Sequence, residues 1–163
     1  MKSTIKYLVL IIMCWVCGEN LQAQPYMFRN VVMSDGLSGL LVNAIYKDSE
    51  GFIWLGTDNG LDRFDGVKVK HFEFRGVDSG RKKRVNCITE TDNKQLWIGN
   101  GIGLWRLNRA GSELQRIVPE KIDCAVNALL ADGDVLYIGT DRGLFIQKDG
   151  QLLHVQTDIN MLA

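Results

Sequence analysis

Trp54-Leu55-Gly56-Thr57-Asp58-Asn59-Gly60-Leu61 is the stretch whose reading decides the fold. It returns as Trp97-Ile98-Gly99-Asn100-Gly101-Ile102-Gly103-Leu104 and again as Tyr137-Ile138-Gly139-Thr140-Asp141-Arg142-Gly143-Leu144. An aromatic residue, an aliphatic one and a glycine are followed each time by glycine-leucine four positions on. The copies lie 43 and then 40 residues apart. A period in that range marks stacked supersecondary units rather than one continuous core.

The residues around each copy read as short strands and turns. Val42-Asn43-Ala44-Ile45-Tyr46-Lys47-Asp48 predicts a strand, Ser49-Glu50-Gly51 a turn, Phe52 to Thr57 a second strand and Asp58-Asn59-Gly60 a second turn. Leu61 to Phe64 gives a third strand, Asp65-Gly66 a hairpin signal and Val67 to Phe74 a fourth. The second unit repeats this grammar from Val85 to Val118, and the third from Val126 onward with a shorter first hairpin at Asp132-Gly133. Four antiparallel strands per repeat predict a propeller blade. The expected fold is therefore all-β, about three four-stranded antiparallel blades of an incomplete β-propeller ring.

Each recurring residue has an architectural role in such a blade. Trp54, Trp97 and Tyr137 fill the wedge between neighbouring sheets. Gly56, Gly99 and Gly139 suit close backbone approach within a strand. Gly60, Gly103 and Gly143 suit turns that need positive φ.

The first residues follow a different pattern. Lys2 and Lys6 precede an apolar core from Tyr7 to Val16, and Leu21-Gln22-Ala23 offers a cut ahead of Gln24. This predicts a secretory signal peptide over 1–23, with an uncleaved anchor as the alternative and an apolar run short for a membrane span. Tyr26 to Val32 reads as a strand that closes a ring. The organisation expected is then 1–23 signal peptide, 24–41 closing strand and linker, and 42–163 partial propeller. Blades fall at about 42–74, 85–118 and 126–156, and Ile159-Asn160-Met161-Leu162 opens a further unit at 158–163.

With 19 basic and 19 acidic residues the formal charge is zero, which gives no electrostatic case for binding nucleic acid. Cys14 and Cys17 would leave with the signal. Cys87 stands at the repeat position held by Ala44 and Ala128, so a small buried free thiol is expected there rather than a disulfide to Cys124.

The run from Val42 to Gly66 resembles the two-component regulator propeller repeat, and Tyr26-Met27-Phe28-Arg29 with Ser34-Asp35-Gly36-Leu37-Ser38 resembles the start of the mature sensors that carry it. The resemblance implies the periplasmic part of a hybrid two-component sensor of the kind known from glycan-degrading gut bacteria. It implies an oligosaccharide ligand, a homodimeric parent anchored in the inner membrane, and a histidine kinase outside this stretch. The second copy departs at Asn100-Gly101-Ile102, and the third has Tyr137 for Trp. Three blades fall short of the four to eight of a closed ring, so further blades or another chain are expected to complete it.

No Ser-His-Asp or paired-carboxylate pattern stands out, so no catalytic residue, cofactor or metal is expected. His71 and His154 read as exposed outer-strand residues. Asp58, Asp62 and Asp65 read as turn and strand residues before they read as calcium ligands. Arg81-Lys82-Lys83-Arg84 reads as a solvated loop between blades. Specificity in such a scaffold sits on its loops, which makes Asn59, Arg63, Asn100 and Arg142 the candidate ligand-binding residues. Two other function classes remain open: a secreted propeller serving only as a protein-interaction module without a kinase, and a propeller enzyme, for which the needed cluster of catalytic side chains is not seen.

Overall fold

The computed structural model describes Tyr7 and residues 30–77, 83–108, 113–118 and 120–155. Strands β1 (Val42–Lys47), β2 (Ile53–Thr57), β3 (Leu61–Phe64) and β4 (Val69–Phe72) form the first sheet. The second comprises β5 (Val85–Glu90), β6 (Leu96–Asn100), β7 (Gly103–Asn108) and β8 (Glu113–Ile117). β9 (Val126–Asp132), β10 (Val135–Thr140), β11 (Gly143–Lys148) and β12 (Gln151–Val155) form the third. Each sheet is an antiparallel meander in chain order, and none closes on itself. The all-β expectation of three four-stranded blade-like sheets holds.

The first hairpin of the third sheet turns through Gly133-Asp134 alone, where its two counterparts need five residues. The Asp65-Gly66 signal gives a longer turn than a two-residue hairpin, since β4 begins only at Val69. There the amides of Val67 and Lys68 donate to Asp65 Oδ1 at 2.8 and 2.7 Å. Those two bonds hold the Asp65 carboxyl below its usual range. Asp149-Gly150, with φ of 51° and 74°, is the tight turn whose positive-φ pair matches strand twist.

Only the end of the expected closing strand falls among the described residues. Residues 26–29 lie outside the described residues, and Asn30, Val31 and Val32 are not in a strand. A single 3-10 turn follows at Met33–Asp35, closed where the Asp35 carboxylate accepts the Val32 amide at 3.0 Å. The expected signal peptide, apart from Tyr7, and the further unit at Ile159-Asn160-Met161-Leu162 also lie outside the described residues, as do Arg81 and Lys82 of the basic run. Among the described residues no helix is long and apolar enough to cross a membrane.

The register shows why the repeat has its composition. Ala44, Cys87 and Ala128 stand opposite Gly56, Gly99 and Gly139. A β-bulge precedes each pairing, so Asn43, Asn86 and Asn127 are the extra residues of their strands. The bulge swings a valine over the preceding sheet. A Cβ on Gly56 would lie 2.5 Å from Val85 Cγ1, and one on Gly99 would lie 2.6 Å from Val126 Cγ1. Only glycine leaves room for this contact. The same crowding buries the Cys87 thiol, which has no disulfide partner and whose pKa is pushed up to about 12 by loss of water.

Two apolar cores lie between the sheets. Trp54, Leu61, Phe72 and Phe74 of the first unit meet Val85, Leu96, Ile98, Trp105 and Leu107 of the second. Trp97 and Leu104 meet Val126, Leu136, Ile138 and Phe145 of the third. Trp54 and Trp97 each donate their indole N–H to the turn six residues before them, to Asp48 Oδ2 at 2.8 Å and to Thr91 Oγ1 at 3.2 Å. Tyr137 differs. It stands half-buried on the far face of the third sheet, with no following sheet against it among the described residues.

Candidate ligand-facing loops

The turn that closes each copy of the motif is built by one side chain. Thr57 Oγ1 accepts the Asn59 amide at 3.1 Å and donates to the Gly60 carbonyl at 3.1 Å. Thr140 repeats both bonds with the Arg142 amide at 3.0 Å and the Gly143 carbonyl at 2.8 Å. In the second sheet Asn100 takes over, accepting the Ile102 amide on Oδ1 at 3.0 Å. Gly60, Gly103 and Gly143 end these turns at φ of 150°, 152° and 106°.

This chemistry separates the four candidate ligand residues. Asn59 is exposed and donates its side-chain amide to the Ser38 carbonyl at 2.9 Å. Arg142 is exposed at the equivalent turn of the third sheet and forms an ion pair with Asp123. Asn100 is fully buried as a turn cap, which removes it from any ligand-facing surface. Arg63 lies elsewhere: its guanidinium sits 4.1 Å over the Phe52 ring, beside the β1–β2 turn at the opposite end of the sheet from Asn59. The structure therefore keeps Asn59 and Arg142 on equivalent turns and sets the other two apart.

A polar cluster that sequence reasoning missed lies beneath Asn59. Asp62 is 0% exposed, yet it is a carboxylate on β3. Its Oδ2 accepts the Ser38 amide at 2.8 Å and the Ser38 hydroxyl at 2.7 Å, and its Oδ1 meets His71 Nδ1 at 2.8 Å. A second contact links Ser38 Oγ to Thr57 Oγ1 at 2.9 Å. His71 is exposed on the outer strand β4, as the sequence implied, and its Nδ1 also pairs with the carboxylate that fastens Ser38 before β1 onto the first sheet. His154, its counterpart, stacks on Phe145 with ring centroids 4.2 Å apart and donates to the Arg142 carbonyl at 3.0 Å. The aspartate stands between serine and histidine, and among the described residues no hydrogen bond joins His71 to a nucleophile, so the order differs from that of a charge-relay triad.

A cleft of about 260 Å3 opens between the second and third sheets at the other end, lined by Trp97, Arg106, Asp134, Gln147 and Lys148 among others. Arg106 lies over the Trp97 ring at 6.0 Å and donates to Gln115 Oε1 at 3.2 Å, while Gln147 Oε1 is buried without a hydrogen-bond partner. Among the described residues no group of three His, Cys, Asp or Glu side chains is placed to hold a metal.

Comparison with known proteins now bears on these sheets. The stretch from the loop before β1 to the Asn59 turn matches the model of a known repeat. Residues 36–59 match the two component regulator propeller. Histidine kinase P4 of Formosa agariphila is 32% identical over an alignment 69 positions long that covers 38% of this chain and 5% of that protein. The extracellular domain of BT3049 from B. thetaiotaomicron, described as a hybrid two component system, superposes with a TM-score of 0.65 at 24% identity over 80% of this chain. The extracellular domain of BT4673 from the same organism, described in one structure as a one component system, gives 0.63 at 26% identity over 78%. The chain spans only 20% and 17% of those two solved chains. The propeller fold is shared, and this chain corresponds to a small part of each relative.

Proposed function

We propose that the chain is an N-terminal portion of the ligand-sensing propeller of a hybrid two-component sensor. In this reading it is exported to the periplasm behind residues 1–23, recognises glycan-derived oligosaccharides, and signals to a histidine kinase encoded elsewhere in the parent protein. The observation that carries the reading is the coincidence of a regulator-propeller repeat with three sheets that superpose on extracellular domains of such systems.

The segment's task is binding rather than catalysis. The sheets form a rigid frame, and the turns at Asn59 and Arg142 offer an amide and a guanidinium suited to sugar hydroxyls. Ligand can alter the kinase only by binding one arrangement of the sensor more tightly than the other, so the signal is a difference in affinity between two states. Titration calorimetry of the whole extracytoplasmic region against a panel of glycan oligosaccharides tests this. Saturable binding that Arg142→Ala weakens at least fivefold is expected. Absence of binding across the panel would overturn the glycan assignment.

A further inference from the structure

The contact between the second and third sheets differs from that between the first and second at the end that carries the β5–β6 and β9–β10 turns. Arg63 and Arg106 are equivalent, since each stands opposite its sheet's tryptophan. Arg63 lies 4.1 Å over the Phe52 ring. Gln95 replaces that phenylalanine two residues ahead of Trp97, so Arg106 keeps only the Trp97 ring, at 6.0 Å. On the facing sheet Leu107, 3% exposed, seals the first contact, and by register its equivalent in the third sheet is Gln147. The facing turn also shrinks, from five residues to Gly133-Asp134. Each exchange puts a polar group or open space where the first contact has apolar cover.

These exchanges meet in the cleft of about 260 Å3, lined by Trp97, Arg106, Asp134, Gln147, Lys148 and Asp149. It is smaller than the roughly 300–1,000 Å3 of drug-sized sites, so its occupant is small. Gln147 Oε1 is buried without a hydrogen-bond partner, a cost that a ligand donor would remove. Arg106 is braced by Gln115 Oε1 at 3.2 Å and by the Trp97 ring, and among the described residues no other hydrogen bond engages its fork. Asp134 Oδ1 accepts the Asn93 amide at 2.9 Å. Among the described residues Arg106, Lys148, Asp134 and Asp149 form no ion pair with one another. Charges of both signs that share a cleft without neutralising each other complement a ligand that carries both signs.

We infer that this cleft binds a small zwitterion, a free α-amino acid, whose carboxylate lies on the Arg106 fork and whose ammonium donates to Gln147 Oε1. A planar guanidinium offers a carboxylate two parallel N–H groups. The ammonium has three donors, one for Gln147 and the others for the side of the cleft that carries the Asp134 and Asp149 carboxylates. Trp97 and Leu136 bound the cleft with apolar surface for the amino acid's side chain. An uncharged polyol would satisfy Gln147 but bring no counter-charge to any of the four charged groups. The cleft lies at the end of the sheets away from the Asn59 and Arg142 turns, so it is a second site, separate from the one proposed for glycans.

Nuclear magnetic resonance of the full 163-residue chain tests this, reading the side-chain amide of Gln147, assigned by its loss in Gln147→Leu. Glycine, L-alanine and L-leucine are titrated beside acetate, methylammonium and D-glucose. At least one amino acid should shift the Gln147 amide saturably, with a Kd at least tenfold below those of the three controls. Arg106→Lys, which keeps the charge and loses the fork, should weaken that binding at least fivefold. Gln147→Leu installs the residue of the first contact, so it should abolish binding, followed on the remaining amides around the cleft, while leaving the unfolding temperature unchanged or higher. A Gln147 amide that no amino acid moves, or that D-glucose moves as tightly, would overturn the inference. So would binding that survives Gln147→Leu, or an unfolding temperature that this substitution lowers, since Gln147 would then serve packing. None of these outcomes bears on glycan binding at the Asn59 and Arg142 turns or on a downstream kinase, so failure here leaves the sensor reading standing.

Discussion

A methyl group added at Gly56 would stand 2.5 Å from Val85 Cγ1 and 3.2 Å from Ala44 Cβ, with strand backbone behind both. Gly56→Ala should therefore cost about 1–3 kcal/mol, the range for overpacking. Gly139→Ala should be close to neutral, because its nearest neighbour lies at 3.4 Å. Urea unfolding of the two variants checks the contrast. Cys87 supplies a pH prediction. Burial raises its folded pKa to about 12 from an ordinary 9.0, so the folded state holds a proton that the unfolded state releases between those values. Stability should fall as pH rises through that window, and Cys87→Ala should flatten the fall in pH-dependent unfolding curves. The glycines and Cys87 were legible in the sequence because they recur or replace a recurring alanine. Asp62 and His71 were not, because burial of a carboxylate by Ser38 across 24 residues leaves no periodic trace. Their pairing alone could have been found, since strands on either side of the Asp65 turn set Asp62 opposite His71. Asp62→Ala should cost about 1–3 kcal/mol by leaving its three donors without an acceptor, and Asp62→Asn, which keeps an acceptor, less.

At the scale of the element, each first strand carries a bulge at its asparagine, and this was invisible in the sequence. Val-Asn-Ala reads as plain alternation, while the structure counts the asparagine as one residue too many. That extra residue aims a side-chain amide sideways, and Asn86 Nδ2 reaches the Val126 carbonyl of the next sheet at 2.9 Å. Turns add a second tie between neighbours, where Glu90 accepts the Ser49 amide at 2.7 Å and Asp134 accepts the Asn93 amide at 2.9 Å. The tryptophan wedge was readable because large aromatic residues recur at one spacing. Its polar end was not, since Asp48 in the first sheet becomes Thr91 in the second. Trp54→Phe keeps most of the ring and removes the 2.8 Å bond to Asp48, so it should cost about 1 kcal/mol in thermal or urea unfolding. Trp54→Ala should cost about 3–5 kcal/mol, as for other buried aromatic deletions.

At the scale of the molecule, three sheets stacked through the same valine-over-glycine contact make a structure whose stability comes from neighbours. Such repeat arrays need caps or further repeats at their ends. The first sheet is capped in part by the Ser38–Asp62–His71 cluster, although Ile45 beside it remains 71% exposed. The third sheet offers the apolar rows that a following repeat would cover. The fold class was legible from the Trp-x-Gly repeat alone, because every copy specifies the same hairpins. The candidate site was legible only in part. Loop position set Asn59 and Arg142 on equivalent turns, and the motif copies set Asn100 at the threonine position, but they could not show that Asn100 is buried as a turn cap. The claim that ties the scales together is that this chain is part of a larger sensing propeller. The nucleotide sequence immediately beyond the Ala163 codon tests it most directly. The account predicts an in-frame continuation with more Trp-x-Gly repeats, then a membrane helix and a histidine kinase. A reading frame that stops there, with no such repeats and no kinase nearby, would contradict it.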